Sequence, residues 1–196
     1  MDISVTETGT TQNETLMFQP RLSNGRAWTG GLGFLFAGIF LGPLVPVITE
    51  VSTTIIIVFL VLASLTGGPL LVMAYFYPAM HYLVTDEHLI LRYGPIMTQK
   101  IPIEKIQKLQ RRNLQMSWTI NFRFPGLALY ECDYLDVRRV YMCSTSATTD
   151  ILLIDDGRVL YGITPEDEDG LISALQERSE QEIEIVEPYI PMSIGR

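Results

Sequence analysis

Few side chains in this chain could carry covalent chemistry. It has two histidines, His81 and His88, and two cysteines, Cys132 and Cys143. A cysteine nucleophile needs a base within hydrogen-bond reach. The histidines stand seven residues apart on neighbouring strand-like stretches, and no local spacing brings a thiol to either of them. All four are read as structural, with the cysteines as free, buried thiols in a reducing compartment. The two cysteines also lack the paired spacing of a zinc site and the number needed for a disulfide scaffold. The acidic run Glu166-Asp167-Glu168-Asp169 lacks the alternating ligands and central glycine of a calcium loop, and a helix start accounts for it. The expectation is therefore no catalytic residue, no metal and no cofactor, in a protein that is not an enzyme.

The remaining chemistry is recognition. Lys105, Lys108, Arg111 and Arg112 form the densest basic run, with Lys100 just upstream. Beside an anionic leaflet each would contribute ~1 kcal/mol, making the run a candidate membrane-surface contact; the plain alternative is a solvated face. Trp118, Phe122, Phe124, Tyr130 and Tyr134 crowd a second region. They could line a pocket, dip into a membrane interface, form a protein contact or simply pack a core. Nucleic acid is excluded as a partner by charge. The formal net charge is -8, and 18 acidic against 12 basic side chains lie from His81 onward, so no positive stripe is available for phosphates.

What must position these residues is an apolar block from Trp28 to Tyr77, broken once at Glu50-Val51-Ser52-Thr53. Trp28 to Thr49 and Thr54 to Tyr77 contain no charged side chain. Each run is about 22–24 residues, or ~33–36 Å as a helix, against a hydrocarbon layer of ~30 Å. The pattern predicts a transmembrane helical hairpin over 27–80, preceded by a disordered cytoplasmic tail over 1–26. Arg21 and Arg26 precede the first run, Arg92 and Lys100 follow the second, and the join carries only Glu50. The positive-inside rule then places both termini in the cytoplasm of a multi-pass cell-membrane protein. Trp28 at one end and Tyr75, Phe76 and Tyr77 at the other suit an interfacial aromatic belt. Gly38 and Gly42 form a small-residue pair for close helix packing, against the second span or another subunit. Pro43 and Pro46 bend or fray the outer part of the first span, and Gly67-Gly68-Pro69 favours a kink in the second.

From His81 the hydrophobic period changes to two. Strand-like stretches run over His81–Thr85, His88–Tyr93, Ile96–Ile101, Trp118–Phe124, Arg139–Ser144, Asp150–Ile154 and Arg158–Ile163. The stretch Ile103 to Leu109 has a period of three and no settled type, and Leu127 to Val137 reads as irregular. Asp155-Asp156-Gly157 is a hairpin turn. Thr164-Pro165-Glu166-Asp167 opens a terminal helix with Leu171, Ile172 and Leu175 as its buried stripe. A tail over 180–196 either adds an edge strand or stays loose.

Strands followed by one capping helix resemble a pleckstrin-homology (PH) domain. Tyr82-x-x-Thr85-x-Glu87-x-Leu89-Ile90-Leu91-Arg92-x-Gly94, then Ile101-Pro102-Ile103-x-x-Ile106, resembles the opening of bacterial PH-like domains found beside membrane hairpins. Arg139-Val140-Tyr141, Ile151-Leu152-Leu153 and Ile163-Thr164-Pro165-Glu166-Asp167 resemble their closing half. One departure is Tyr134-Leu135-Asp136-Val137, where relatives often have a glycine-rich turn. The resemblance implies a PH-like domain over 81–179, a partly open barrel or sandwich, commonly without catalytic activity. The first hairpin offers only Arg92 and Lys100 beside Glu87, too few convergent donors for a phosphoinositide head group.

The expected fold is thus a membrane protein with a two-helix transmembrane hairpin followed by a mainly-β PH-like barrel or sandwich with one C-terminal α-helix. The expected function is a non-enzymatic, membrane-anchored module for protein–protein interaction or self-association. Its partners are the lipid bilayer and a membrane or cytoplasmic protein, itself included. The alternative is a small integral-membrane subunit of a transport or immunity system whose spans act directly.

Overall fold

The computed structural model describes residues 15–47, 52–118 and 123–186. β1 (Leu16–Phe18) leads into α1 (Gly25–Leu41), a 3-10 helix over Gly42–Val47, and α2 (Thr53–Phe76). Then come β2 (Met80–Val84), β3 (His88–Tyr93) and β4 (Met97–Pro102), and after a 3-10 turn β5 (Lys108–Arg112). β6 (Arg123–Phe124), β7 (Leu127–Tyr134), β8 (Arg138–Ser144), β9 (Ile151–Asp155) and β10 (Leu160–Ile163) follow. α3 (Glu168–Arg178) and β11 (Glu184–Val186) complete the order.

The strands make two sheets. One has the order β1-β2-β3-β4 and is antiparallel throughout; the other runs β11-β5-β9-β10-β8-β7-β6, with parallel pairs at β11–β5 and β10–β8. Period-two alternation sends Leu89, Leu91 and Tyr93 inward from the first sheet, where they meet Leu109, Leu129 and Ile154 of the second. Leu171 and Leu175 bring α3 onto the same core. Tyr82, wholly buried, ties the sheets together: its hydroxyl donates to the Cys143 carbonyl at 2.8 Å and accepts from the Thr164 amide at 3.3 Å. Gly157, at φ +80°, turns the β9–β10 hairpin, and its amide donates to the Asp155 carboxylate at 2.8 Å.

Several expectations need correction. The presumed tail over 1–26 contains an edge strand: β1 pairs with β2 in the register Leu16↔Val84 and Phe18↔Tyr82. Residues 19–21 continue along the domain, with the Arg21 amide donating to the Thr164 carbonyl and the Glu166 amide to the Gln19 carbonyl. Only long-range pairing holds this segment, so it carries no local periodicity. Thr164 does not cap α3. Its hydroxyl is bound to the Thr145 amide at 2.8 Å, and the cap falls to Asp167, whose carboxylate accepts from the Gly170 amide at 2.9 Å. Leu127–Tyr134 is an eight-residue strand, not irregular chain. Tyr130, at φ +62°, breaks its alternation midway and hides the period. Of Trp118–Phe124 only Arg123–Phe124 is strand; residues 119–122 lie outside the described residues. The C-terminal tail adds β11 beside β5.

The two helices run antiparallel, since Gly30 faces Ala74, Gly33 faces Leu71 and Gly67, and Phe40 meets Phe59. Their contact is made by Gly33 and Gly67. A Cβ on Gly67 would stand 2.7 Å from the Gly33 carbonyl oxygen and 3.1 Å from the Ala37 nitrogen. Gly38 and Gly42 are not part of it: added Cβ atoms there meet nothing within 4 Å. The expected pair of equal spans is also uneven. α2 is 24 residues long, runs helical through Pro69, and is the one described helix long and apolar enough to cross a membrane. α1 stops at 17 residues, where Gly42-Pro43 tightens the chain into 3-10 turns because proline has no amide to continue the α pattern. The Glu50 join lies outside the described residues.

Candidate functional site

The most distinctive place in the molecule is the foot of the helix pair, where it meets the β domain. Ser23, just ahead of α1, and Tyr77, just past α2, bring their hydroxyls within 2.6 Å of each other. Ser23 donates to the Gly126 carbonyl at 2.7 Å, and the Tyr77 hydroxyl lies 3.3 Å from the same oxygen. Gly126 takes φ +81° in the β6–β7 turn, and Gly25 lies so close that a Cβ on it would overlap the Gly126 carbonyl. On the other side Tyr93 donates to the Met73 carbonyl in the last turn of α2 at 2.5 Å. Both helices are therefore clamped to the sheets through buried and half-buried hydrogen bonds, which fix the direction in which they leave the domain.

This clamp divides the predicted aromatic belt. Trp28 and Tyr75 point outward, 52% and 74% exposed. Phe76 and Tyr77 instead turn inward onto the core of the β domain, Phe76 against Gly94 and Tyr77 in the clamp, so they are anchoring residues of the foot and not part of an outer belt.

The basic run does not form one free patch. Lys108 pairs with Glu184 at 3.3 Å, Arg111 with Glu168 at 2.9 Å and Arg112 with Asp136 at 3.2 Å. Lys105 is exposed, but it follows Ile103, whose amide bonds the Glu87 carbonyl in the β2–β3 turn. That turn is at the opposite end of β2 from Met80, and hence away from the helices. The run is a row of ion pairs along the domain, three of its four charges already matched.

The aromatic region also comes apart. Tyr134 is buried and donates to the Ala147 carbonyl at 2.6 Å, with the Arg123 guanidinium 5.2 Å from its ring centre. Tyr130 donates to the Ile96 carbonyl at 3.2 Å and packs on the main core. Trp118 is wholly exposed, and Phe124 is half-buried beside it along a cavity of about 870 Å³. Phe122 lies outside the described residues.

The four candidate nucleophile and base residues are held by other partners. His81 Nδ1 contacts the Ala79 carbonyl at 3.0 Å, and His88 Nδ1 sits 3.8 Å from the Glu87 carboxylate. The Cys132 thiol donates to the Leu129 carbonyl at 3.6 Å. Burial pushes that thiol up to about 11 and pushes Cys143 higher still, which keeps both protonated and unreactive near neutrality. Among the described residues no group of histidine, cysteine or carboxylate side chains is placed to hold a metal ion. In the acidic run, Asp167 caps α3 and Glu168 pairs with Arg111.

Sequence spacing gave no sign of the clamp. Ser23 and Gly126 are 103 residues apart, and no local pattern joins them.

With this geometry in hand, comparison with known families is unambiguous over the β domain. The family described as bacterial PH domain matches residues 80–179, and the chain belongs to it. No curated protein and no solved structure matches the chain.

Proposed function

We propose that the chain is a non-enzymatic, membrane-anchored PH module that mediates protein–protein contact or self-association at the cytoplasmic face. α1 with its 3-10 extension and α2 form the anchor. The observation that carries this reading is the surface of α2. Of its most apolar stretch only 11% is buried, whereas a core helix of a soluble protein would be mostly covered. Ile57, Val61, Leu65 and Val72 are about half exposed or more, a patch far larger than a water-soluble surface tolerates. Along α1, Phe34, Leu35 and Ile39 are likewise exposed.

Length supports two crossings. Seventeen α-helical residues give ~26 Å and six 3-10 residues add ~12 Å, enough for a ~30 Å core. Orientation rests on Arg21, Arg26 and Arg92 at the domain end of the helices. The helices between Trp28 and Leu41 and over Thr53–Phe76 carry no charged side chain that could serve a transport path, which favours an anchor over spans that act directly. Clamping at Ser23, Tyr77 and Gly126 would hold the PH module in one pose above the bilayer and raise its effective concentration for membrane partners. The test is to express the full chain, isolate membranes and wash them at high salt and then alkaline pH. Retention in the membrane pellet through both washes is expected. Release into the supernatant overturns the reading.

A further inference from the structure

Two cavities meet at the foot of the helix pair, and Arg26 and Ser23 line both. One, of about 650 Å³, is a groove between the helices floored by Gly30 and Gly31, with Phe34, Leu71 and Tyr75 along its sides. The other, of about 440 Å³, opens against the β domain and is lined by Gln19, Arg21, Thr145 and Glu166. The first is mostly apolar. The second is also mostly apolar, with those polar side chains set among Leu22, Pro78 and Met80, and lies where the chain enters the domain.

Charge at the junction comes from Arg26. Arg21 already pairs with Asp150 at 3.5 Å, whereas Arg26 is exposed and, among the described residues, makes no ion pair. Ser23 is spent on Tyr77 and Gly126. Exposed Tyr75 marks the same level as the groove mouth, so the groove is continuous with the membrane interface proposed above. An apolar trough that ends at a cation with no ion pair among the described residues, beside a second chamber carrying Gln19, Arg21 and Glu166, matches an acyl chain joined to a phosphate.

We propose that this junction is a binding site for one glycerophospholipid, with the phosphate on Arg26, the head group in the chamber beside Arg21 and Glu166, and an acyl chain in the groove over Gly30 and Gly31. The site rests on the membrane reading, since the groove faces lipid only if the helices span. It lies apart from the first β-hairpin, and it uses the helix pair itself as half of its wall. Glu166 on the chamber wall disfavours a second negative charge, so the phosphate diester supplies the recognised anion.

The glycines allow a clean test. A Cβ on Gly31 meets nothing within 4 Å, so Gly31→Leu fills the groove without displacing the helices. Gly38 is equally open but does not line the groove, so Gly38→Leu controls for general lipid contact. The full-length protein in neutral detergent is titrated with short-chain phosphatidylglycerol, with the diacylglycerol of the same chain length and with glycerol 3-phosphate, and bound mass is read by native mass spectrometry. Binding of the phospholipid alone is expected, because phosphate and chain are both needed. Arg26→Gln should weaken it about fivefold, Gly31→Leu at least as much, and Gly38→Leu not at all. Equal binding by wild type, Arg26→Gln and Gly31→Leu overturns the site, as does an equal loss with Gly38→Leu, which would mean annular lipid only. Vesicle flotation of the same samples separates the two readings. Protein that floats but shows equal binding removes the lipid site alone; protein that does not float removes both.

Discussion

Replacing Gly67 by alanine is the sharpest probe of how the helices hold together. The new methyl carbon would lie 2.7 Å from the Gly33 carbonyl oxygen and 3.1 Å from the Ala37 nitrogen, both backbone atoms that cannot rotate away. Ordinary contact begins near 3.4 Å, so the helices must separate by about 0.7 Å locally. A gap of that size forfeits a quarter to a half of the dispersion energy along the seam, and overpacking of this kind costs about 1–3 kcal/mol. Alanine regains about 0.5–1 kcal/mol of helix propensity, leaving a net loss of about 1–2 kcal/mol. Gly38→Ala, with open space around it, should instead be neutral or stabilising by up to about 1 kcal/mol. The assay is thermal unfolding of the full chain in detergent, followed by far-ultraviolet circular dichroism. Equal stability of Gly67→Ala and wild type, or an equal loss in Gly38→Ala, would refute the packing account.

Further outcomes follow from the same geometry. Arg112→Gln should destabilise the fold by about 1 kcal/mol, because it leaves Asp136, only 13% exposed, with the Gln115 amide but no counter-ion, while Lys105→Gln should change stability by less than about 0.5 kcal/mol; chemical denaturation distinguishes them. Tyr93→Phe removes the hydroxyl that donates to the Met73 carbonyl and should cost about 1 kcal/mol in the same assay. With its thiol pushed up to about 11 from 9.0 for a free thiol, Cys132 holds about a hundredfold less thiolate than a free cysteine, so Ellman's reagent at pH 8 should label the folded chain far more slowly than the denatured one. That shift also favours the fold fully below pH 9 and loses its contribution as pH rises toward 11, a decline that denaturation curves across this range should register.

Legibility in the sequence tracked the range of the forces involved. Local alternation placed Leu89, Leu91 and Tyr93 inside, and the Asp-Gly pair marked the β9–β10 turn, since both signals act over a few residues. β1 was invisible because a three-residue edge strand is held by a partner more than sixty positions away. β7 was obscured by Tyr130, whose left-handed backbone shifts the inward face midway along the strand. For the helices, glycine content correctly signalled close packing but not its place. Gly38-x-x-x-Gly42 fitted the expected spacing, yet Gly33 and Gly67 make the contact, because helix pairing depends on relative rotation that one strand of sequence does not encode. For the basic run, read as either a membrane-surface contact or a solvated face, the ion-pair partners Glu184, Glu168 and Asp136 come from distant elements and leave no trace in its local sequence.

The account stands or falls on whether the exposed helix pair crosses a bilayer and returns. Ser52, exposed at the start of α2, and Arg158, exposed in the β9–β10 turn, lie at opposite ends of the protein if it does. Single cysteines introduced at each position, with the buried native thiols silent, can be challenged in intact cells with a membrane-impermeant maleimide. Labelling at Ser52→Cys in intact cells, and at Arg158→Cys only after permeabilisation, is the predicted result. Labelling of both positions from the same side would contradict it.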